Sequence, residues 1–409
     1  MKDGNLHINI LLGFLYMTNF NKKVLNPGSD INPFVAMAEA GVSPSEIKDF
    51  VISELSPYFE NIEVVKDLSV EILSPEVINL YNVRLQDDEH LLNYVLGIYR
   101  NAKSKNKDSS FQICADSEQA INDGLSHYMS LFLMETPKSE LGLHEYTQDM
   151  FKIIGSVIEA CLKPFLFDLL RQQRICRNKN FNIIESPKLG VMVQELYDTI
   201  EKKELMAPNP WGIRLSQWRN IAQHHNTKID RNSIVCSYGE GQNRNEVTLS
   251  RDKLGDLTQK IMSIFRSIKL ARTIFFIDNL KEIKPLITDL NMREETRLLS
   301  FTTAVSTQGF KLNNLNLTDD SATAEIVDTQ EASQQRLIHA SQFLVPLWFD
   351  TKRKELVIDY LSNCGESIAK FSVAGSACEN LTTEVIDIEQ YINLVEFNVK
   401  CSGLIPSDT

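Results

Sequence analysis

Up to about residue 297, apolar residues recur at three- and four-residue intervals, the period of helices with one buried face. Ser43-Pro44-Ser45-Glu46 is a capping box with proline at the first helical position, so a helix is predicted through Ile47, Phe50, Val51 and Leu55, ended by Pro57. Ile62–Val65 and Val70–Leu73 read as short strands. Asp88–Tyr99 is predicted helical on the spacing of Leu91, Leu92, Val95, Leu96 and Tyr99. Lys103–Ser110 reads as a polar loop, and Ile121–Met134 as a helix stopped by Thr136-Pro137. These elements make residues 1–140 a mixed α/β region.

The next stretch is more regular. Phe151, Ile154, Val157, Ile158, Cys161, Phe165 and Leu169 form one helical stripe, with Pro164 predicted to kink or break it. Leu189, Val193, Leu196, Tyr197 and Ile200 form a second. Ile213, Leu215, Trp218, Ile221 and Ala222 form a third, after the breaker-rich loop Ala207-Pro208-Asn209-Pro210-Trp211-Gly212. A hairpin comes next, with Gly239-Glu240-Gly241 as its turn. Ser250 then caps a fourth helix through Leu254, Leu257, Ile261, Ile264, Phe265 and Ile268, which Ile274–Ile277 and Leu280–Leu290 extend. Four stripes with short connections predict a helical bundle over 145–297. From 298 the period shortens: Phe310–Leu317, Ala324–Val327, Glu355–Ile358 and Ile368–Val373 alternate between Asn-, Asp-, Ser- and Gly-rich bounds. Residues 298–409 are therefore expected to be β-rich, with Asp350–Glu355 a solvated turn. The fold class expected is multidomain and mainly α.

Composition narrows the functional classes. A length of 409 residues, 43% hydrophobic and 23% charged, suits two or three globular domains. The net charge of −12 excludes a general polyanion binder, so any RNA contact must be local. Ile8–Met17 is apolar, but Asp3 precedes it and Asn9 interrupts it; it is too short to span a bilayer and reads as a buried element. Seven scattered cysteines without a Cys-x-x-Cys pair point to reduced thiols and a cytoplasmic setting. No spacing of His, Cys, Asp or Glu has the form of a metal site, and no phosphate-cradling or dinucleotide-binding loop is present, so no cofactor is expected.

The third helix carries unusual polar company: Trp218-Arg219-Asn220-Ile221-Ala222-Gln223-His224-His225-Asn226. Asn220 and His224 are four apart, hence on one face, and the long Arg219 stem can bring a guanidinium toward the imidazole. A fixed cation, an amide and a proton carrier suit a phosphate. Arg-Asn, three residues and His, after a Trp on a short helix, resembles the HEPN superfamily of helical nucleotide-binding and RNase domains. The hairpin and long helix downstream, Ser233–Gly239, Glu246–Ser250 and beyond, extend the resemblance over roughly 145–297.

That resemblance implies metal-independent RNA cleavage by attack of a 2′-hydroxyl on the adjacent phosphate, with His224 moving protons, Arg219 stabilising phosphate charge and Asn220 orienting either. It also implies a homodimer or a HEPN-containing partner, because one motif supplies one histidine. His225 is a second substrate contact or an exposed neighbour. Arg171, Arg174, Arg177 and Lys179 form a run free of acidic residues, and Arg214, Lys228 and Arg231 surround the motif, so these are expected to contact RNA. The family also includes non-catalytic dimerisation and nucleotide-binding modules. By family association, a defence or stress effector held by a regulatory partner is expected. A helical scaffold whose β-rich tail binds a protein is the reading that leaves the family aside.

Overall fold

The computed structural model describes residues 42–67, 70–132, 141–183, 185–239, 244–287, 301–302, 305, 308–329, 331–383 and 385–400. The Ile8–Met17 stretch and Thr136-Pro137 fall outside these, as do most of the Gly239–Gly241 turn and residues 288–290. The protein is mainly helical with two sheets. It divides into two compact units, Leu55–Asp67 with Glu76–Arg293, and Met1–Glu54 with Leu68–Pro75 and Glu294–Thr409.

The first described helix, α1 (Pro44–Leu55), begins as its capping box requires: Ser43 N–H donates to Glu46 Oε2 at 2.9 Å and Glu46 N–H to Ser43 Oγ at 3.3 Å. The strands expected at 62–65 and 70–73 are instead helical, in α2 (Ile62–Asp67) and α3 (Val70–Leu85). β-branched residues set the strand expectation, but α2 carries Glu63 in its first turn ion-paired with Lys66 one turn on. Among the described residues before 141 there is no strand.

In the helical unit, α4 (Glu89–Lys105) buries Leu91, Leu92, Val95, Leu96 and Tyr99 as the spacing predicts. The polar loop expected at 103–110 shrinks to a break at Asn106, whose Oδ1 accepts Ser109 N–H at 3.1 Å and so starts α5 (Lys107–Phe132). Next come α6 (Leu143–Ser156), a π-helical turn (Val157–Leu162), α7 (Lys163–Cys176) and α8 (Leu189–Thr199). Then come α9 (Leu215–Gln223), a three-stranded antiparallel meander of β1 (Thr227–Asp230), β2 (Ser233–Tyr238) and β3 (Asn245–Leu249), and the long α10 (Arg251–Asp278). Ser250 caps α10 by accepting Lys253 N–H at 3.3 Å. The short α11 (Leu280–Ile283) continues beyond it.

α10 packs along both α4 and α6, and α7 along α4 and α5. The bundle therefore does not start at 145: helices from before 140 fill it, and no unit boundary falls there. Its centre holds Phe165 edge-on to Phe265 at 5.6 Å, and Tyr99 donating to the fully buried Asp168 at 2.7 Å. Burial pushes the Asp168 carboxyl above its ordinary range, with Arg272 opposing.

The other unit holds a five-stranded sheet in sequence order: β4 (Phe310–Leu317), β5 (Ser321–Asp328), β6 (Glu355–Leu361), β7 (Ser367–Ala374) and β8 (Glu396–Val399). β5 and β6 are parallel, which demands a crossover, and α12 (Gln334–Ser341) and α13 (Leu344–Thr351) supply it. With α14 (Gly375–Thr382) and α15 (Ile388–Ile392), this region is mixed α and β rather than simply β-rich. The solvated turn narrows to about Lys352–Lys354, since Asp350 and Thr351 are buried at the end of α13.

Candidate active site

The motif helix α9 is only nine residues long, so packing rather than length must hold it. Leu215, Trp218, Ile221 and Ala222 are buried, with Trp218 edge-on to Trp211 at 6.4 Å. Gly155 of α6 allows this packing, because a Cβ there would meet the Ala222 methyl at 3.2 Å. The helix ends at the motif. His224 is its C-cap, its N–H donating to Asn220 O at 3.0 Å, and His225 takes a left-handed backbone with φ 50°. Asn226 N–H returns to Ile221 O at 3.2 Å, the long bond of a Schellman cap. That position ordinarily holds glycine, and a histidine there carries backbone strain of order 1 kcal/mol.

From the cap the chain runs straight into the meander. Ser237 N–H donates to Asn226 O at 2.9 Å, and Gly239 N–H to Gln217 Oε1 at 3.3 Å, tying β2 to α9. His224 and His225 are exposed, and among the described residues neither ring makes a hydrogen bond. Lys228 on β1 and Arg231 in the β1–β2 turn are also exposed.

Arg219 has a partner the sequence did not indicate. Its Nε lies 3.0 Å from Glu159 Oε2 in the π turn. The pair is coulombic: neither atom makes a hydrogen bond, although both are buried. Glu159 Oε1 accepts Lys163 Nζ at 2.7 Å, and Arg219 Nη1 donates to Gln223 Oε1 at 3.2 Å. Pro164 accounts for the π turn, since it has no N–H for Ala160 O, the carbonyl four residues back. Gly124 of α5 faces that carbonyl, where a Cβ would sit 2.9 Å from the oxygen. Proline was the signal for Glu159, but it announced a kink and not which side chain the kink would turn toward Arg219. Cys161 in the same turn is no nucleophile, as burial pushes its thiol up to about 12.

The remaining cations separate from the motif. Arg171 is buried, donating to Asp116 Oδ2 at 2.9 Å. Arg174 makes a two-pronged pair with Glu195, at 2.8 and 2.5 Å. Arg177 donates to Thr199 O at 3.1 Å. Arg214 bonds Gln194 and lies over the Tyr197 ring at 4.8 Å. Within the basic run Arg171 and Arg174 are therefore corrected from RNA contacts to internal ties: helical spacing turned them toward carboxylates distant in sequence that neutralise them, while Arg177 and Lys179 stay exposed. The residues that gather around α9 are Arg219, Asn220, His224, His225, Glu159 and Lys163, with Lys228 and Arg231 on the adjoining hairpin.

Searches of protein-family models, curated proteins and solved structures find no match to the chain. Among the described residues there is no group of three or more His, Cys, Asp or Glu side chains able to hold a metal ion, and no helix long and apolar enough to cross a membrane.

Proposed function

We propose that the chain is a metal-independent endoribonuclease of HEPN type. The observation that carries this reading is that one short, firmly packed helix holds both an Arg219 oriented by Glu159 and, at its end, an exposed, unbonded His224. A ribonucleotide phosphate placed there would meet a planar cation paired with Glu159 and an exposed imidazole. In the reaction, His224 takes the proton from a 2′-hydroxyl, the oxygen attacks phosphorus, and the bond to the 5′-oxygen breaks. The leaving oxygen takes up a proton, leaving a 2′,3′-cyclic phosphate and a 5′-hydroxyl. Arg219 stabilises charge on the non-bridging oxygens, and Asn220 orients ring or phosphate. A second proton carrier comes from His224 of another copy, or from a HEPN-containing partner. The setting we infer is a cytoplasmic defence or stress effector, restrained by a regulatory protein.

One observation favours a second reading, a non-catalytic HEPN module that binds a nucleotide or a partner protein. The Arg219 charge is already balanced by Glu159, which lowers its pull on phosphate. Incubating a labelled RNA pool with the purified protein and with its His224→Ala variant separates the two. The first reading expects cleavage that the variant lacks; retained binding without cleavage by either protein would move the conclusion to the second.

A further inference from the structure

We propose that the edge of β8 left unpaired among the described residues pairs with β8 of a second copy of this chain, in antiparallel register centred on Asn398. This inference goes beyond the ribonuclease reading and does not rest on it, since β8 belongs to the other compact unit. β8 is an edge strand of the sheet among the described residues, with β7 on one side. Lys400 N–H donates to Ile368 O at 2.8 Å, and the register places Asn398 opposite Lys370 and Glu396 opposite Ser372. Main-chain groups alternate along an antiparallel strand, so those of 396, 398 and 400 face β7. Those of Phe397 and Val399 face outward. A two-fold axis through Asn398 sets Phe397 of each copy opposite Val399 of the other, and these four residues exchange four hydrogen bonds.

The side chains are self-complementary in that register. Glu396 of each copy falls opposite Lys400 of the other, both exposed, which gives two attractive cross-strand pairs. A shift of the centre by one residue toward Phe397 would set Glu396 against Asn398 and lose both pairs. Among the described residues, apolar side chains in and just before the strand are also left exposed. Phe397 is 46% exposed, Leu394 52%, and Ile392 and Ile388 53% and 61%, on the elements that lead into the edge. Tyr391 of α15 and Phe371 of β7 are buried in the same core, and the Phe397 ring meets Phe371 edge-on at 5.3 Å. The opposite edge, β4, is interrupted by a register shift between Leu312 and Asn314, a feature that blunts strand addition. β8 has none.

Sedimentation of the full chain at micromolar concentration tests this. The intact protein is expected to be a dimer. Val399→Pro removes an outward N–H without touching the β7 ladder and should abolish the association made through β8, lowering the sedimenting mass. Lys400→Glu should weaken the dimer about tenfold or more by placing like charges opposite each other, and Glu396→Lys with Lys400→Glu in one chain should restore it. Asn398→Cys, opposite its own copy, should give an oxidised covalent dimer in a chain whose Cys364 and Cys401 are replaced by serine, while the same chain with Asn398 kept does not. A monomeric intact protein, or a dimer indifferent to Val399→Pro and to both charge variants, would overturn the proposal.

Discussion

His225 shows how one residue can be read in two ways. By sequence it is a neighbour of His224; in the structure it occupies the left-handed cap, where glycine is the unstrained choice. Replacing it by glycine relieves strain in the fold and adds freedom to the unfolded chain, so His225→Gly should change stability by less than about 1 kcal/mol. Denaturant midpoints would check this. His224→Ala should leave the melting temperature unchanged, since the ring is exposed, and should lower RNA cleavage by about 10²–10⁴-fold. Arg219→Lys should fail as well, because an ammonium cannot make a two-pronged contact with phosphate while keeping the Glu159 and Gln223 contacts. Full activity in the lysine variant would show that Arg219 acts only as a charge.

At the scale of elements, the π turn sets the geometry. Gly124→Ala would push a methyl group against the backbone carbonyl of Ala160 and should cost about 1–3 kcal/mol in chemical denaturation. An unchanged midpoint would mean that the turn is more compliant than its packing indicates. The Arg174–Glu195 pair joins α7 to α8, and the Arg174 hydrogen bonds hold the Glu195 carboxyl below its ordinary range. A lowered folded-state value stabilises above the unfolded carboxyl's pKa of about 4.3 and is lost as pH falls through the folded value. The melting gap between the parent protein and Arg174→Met should thus be widest near neutrality and close in acid; a gap independent of pH would deny the pair a role. Local signals were the legible ones. The Ser43 and Ser250 caps and the stripes of α4, α8, α9 and α10 stand in the sequence as they fold. The Ile62–Val65 error arose because β propensity is decided by a partner strand, and none is present among the described residues nearby. Asn106 caps one helix directly after another, so its polar surroundings read as a loop. Glu159 escaped because its partner is sixty residues away in sequence, joined only by tertiary packing.

For the whole molecule, a net charge of −12 confines RNA contact to local cations, and Arg171 and Arg174 are committed to carboxylates. Arg219, Lys228 and Arg231 remain about α9. Three phosphate contacts predict that log affinity falls against log salt with a slope of about −2, whereas a slope steeper than about −5 would require a broader basic surface. The resemblance to HEPN domains rests on α9, the hairpin and the long helix α10; α4 and α5, which complete the same helical unit, contributed nothing to it. The proposed chemistry is tested most directly by end-group analysis of RNA incubated with the purified protein in excess EDTA. Metal-free transfer to the 2′-oxygen predicts 2′,3′-cyclic phosphate and 5′-hydroxyl ends, formed as fast as without chelator and absent with His224→Ala. Cleavage that EDTA abolishes, or 5′-phosphate products, would contradict it.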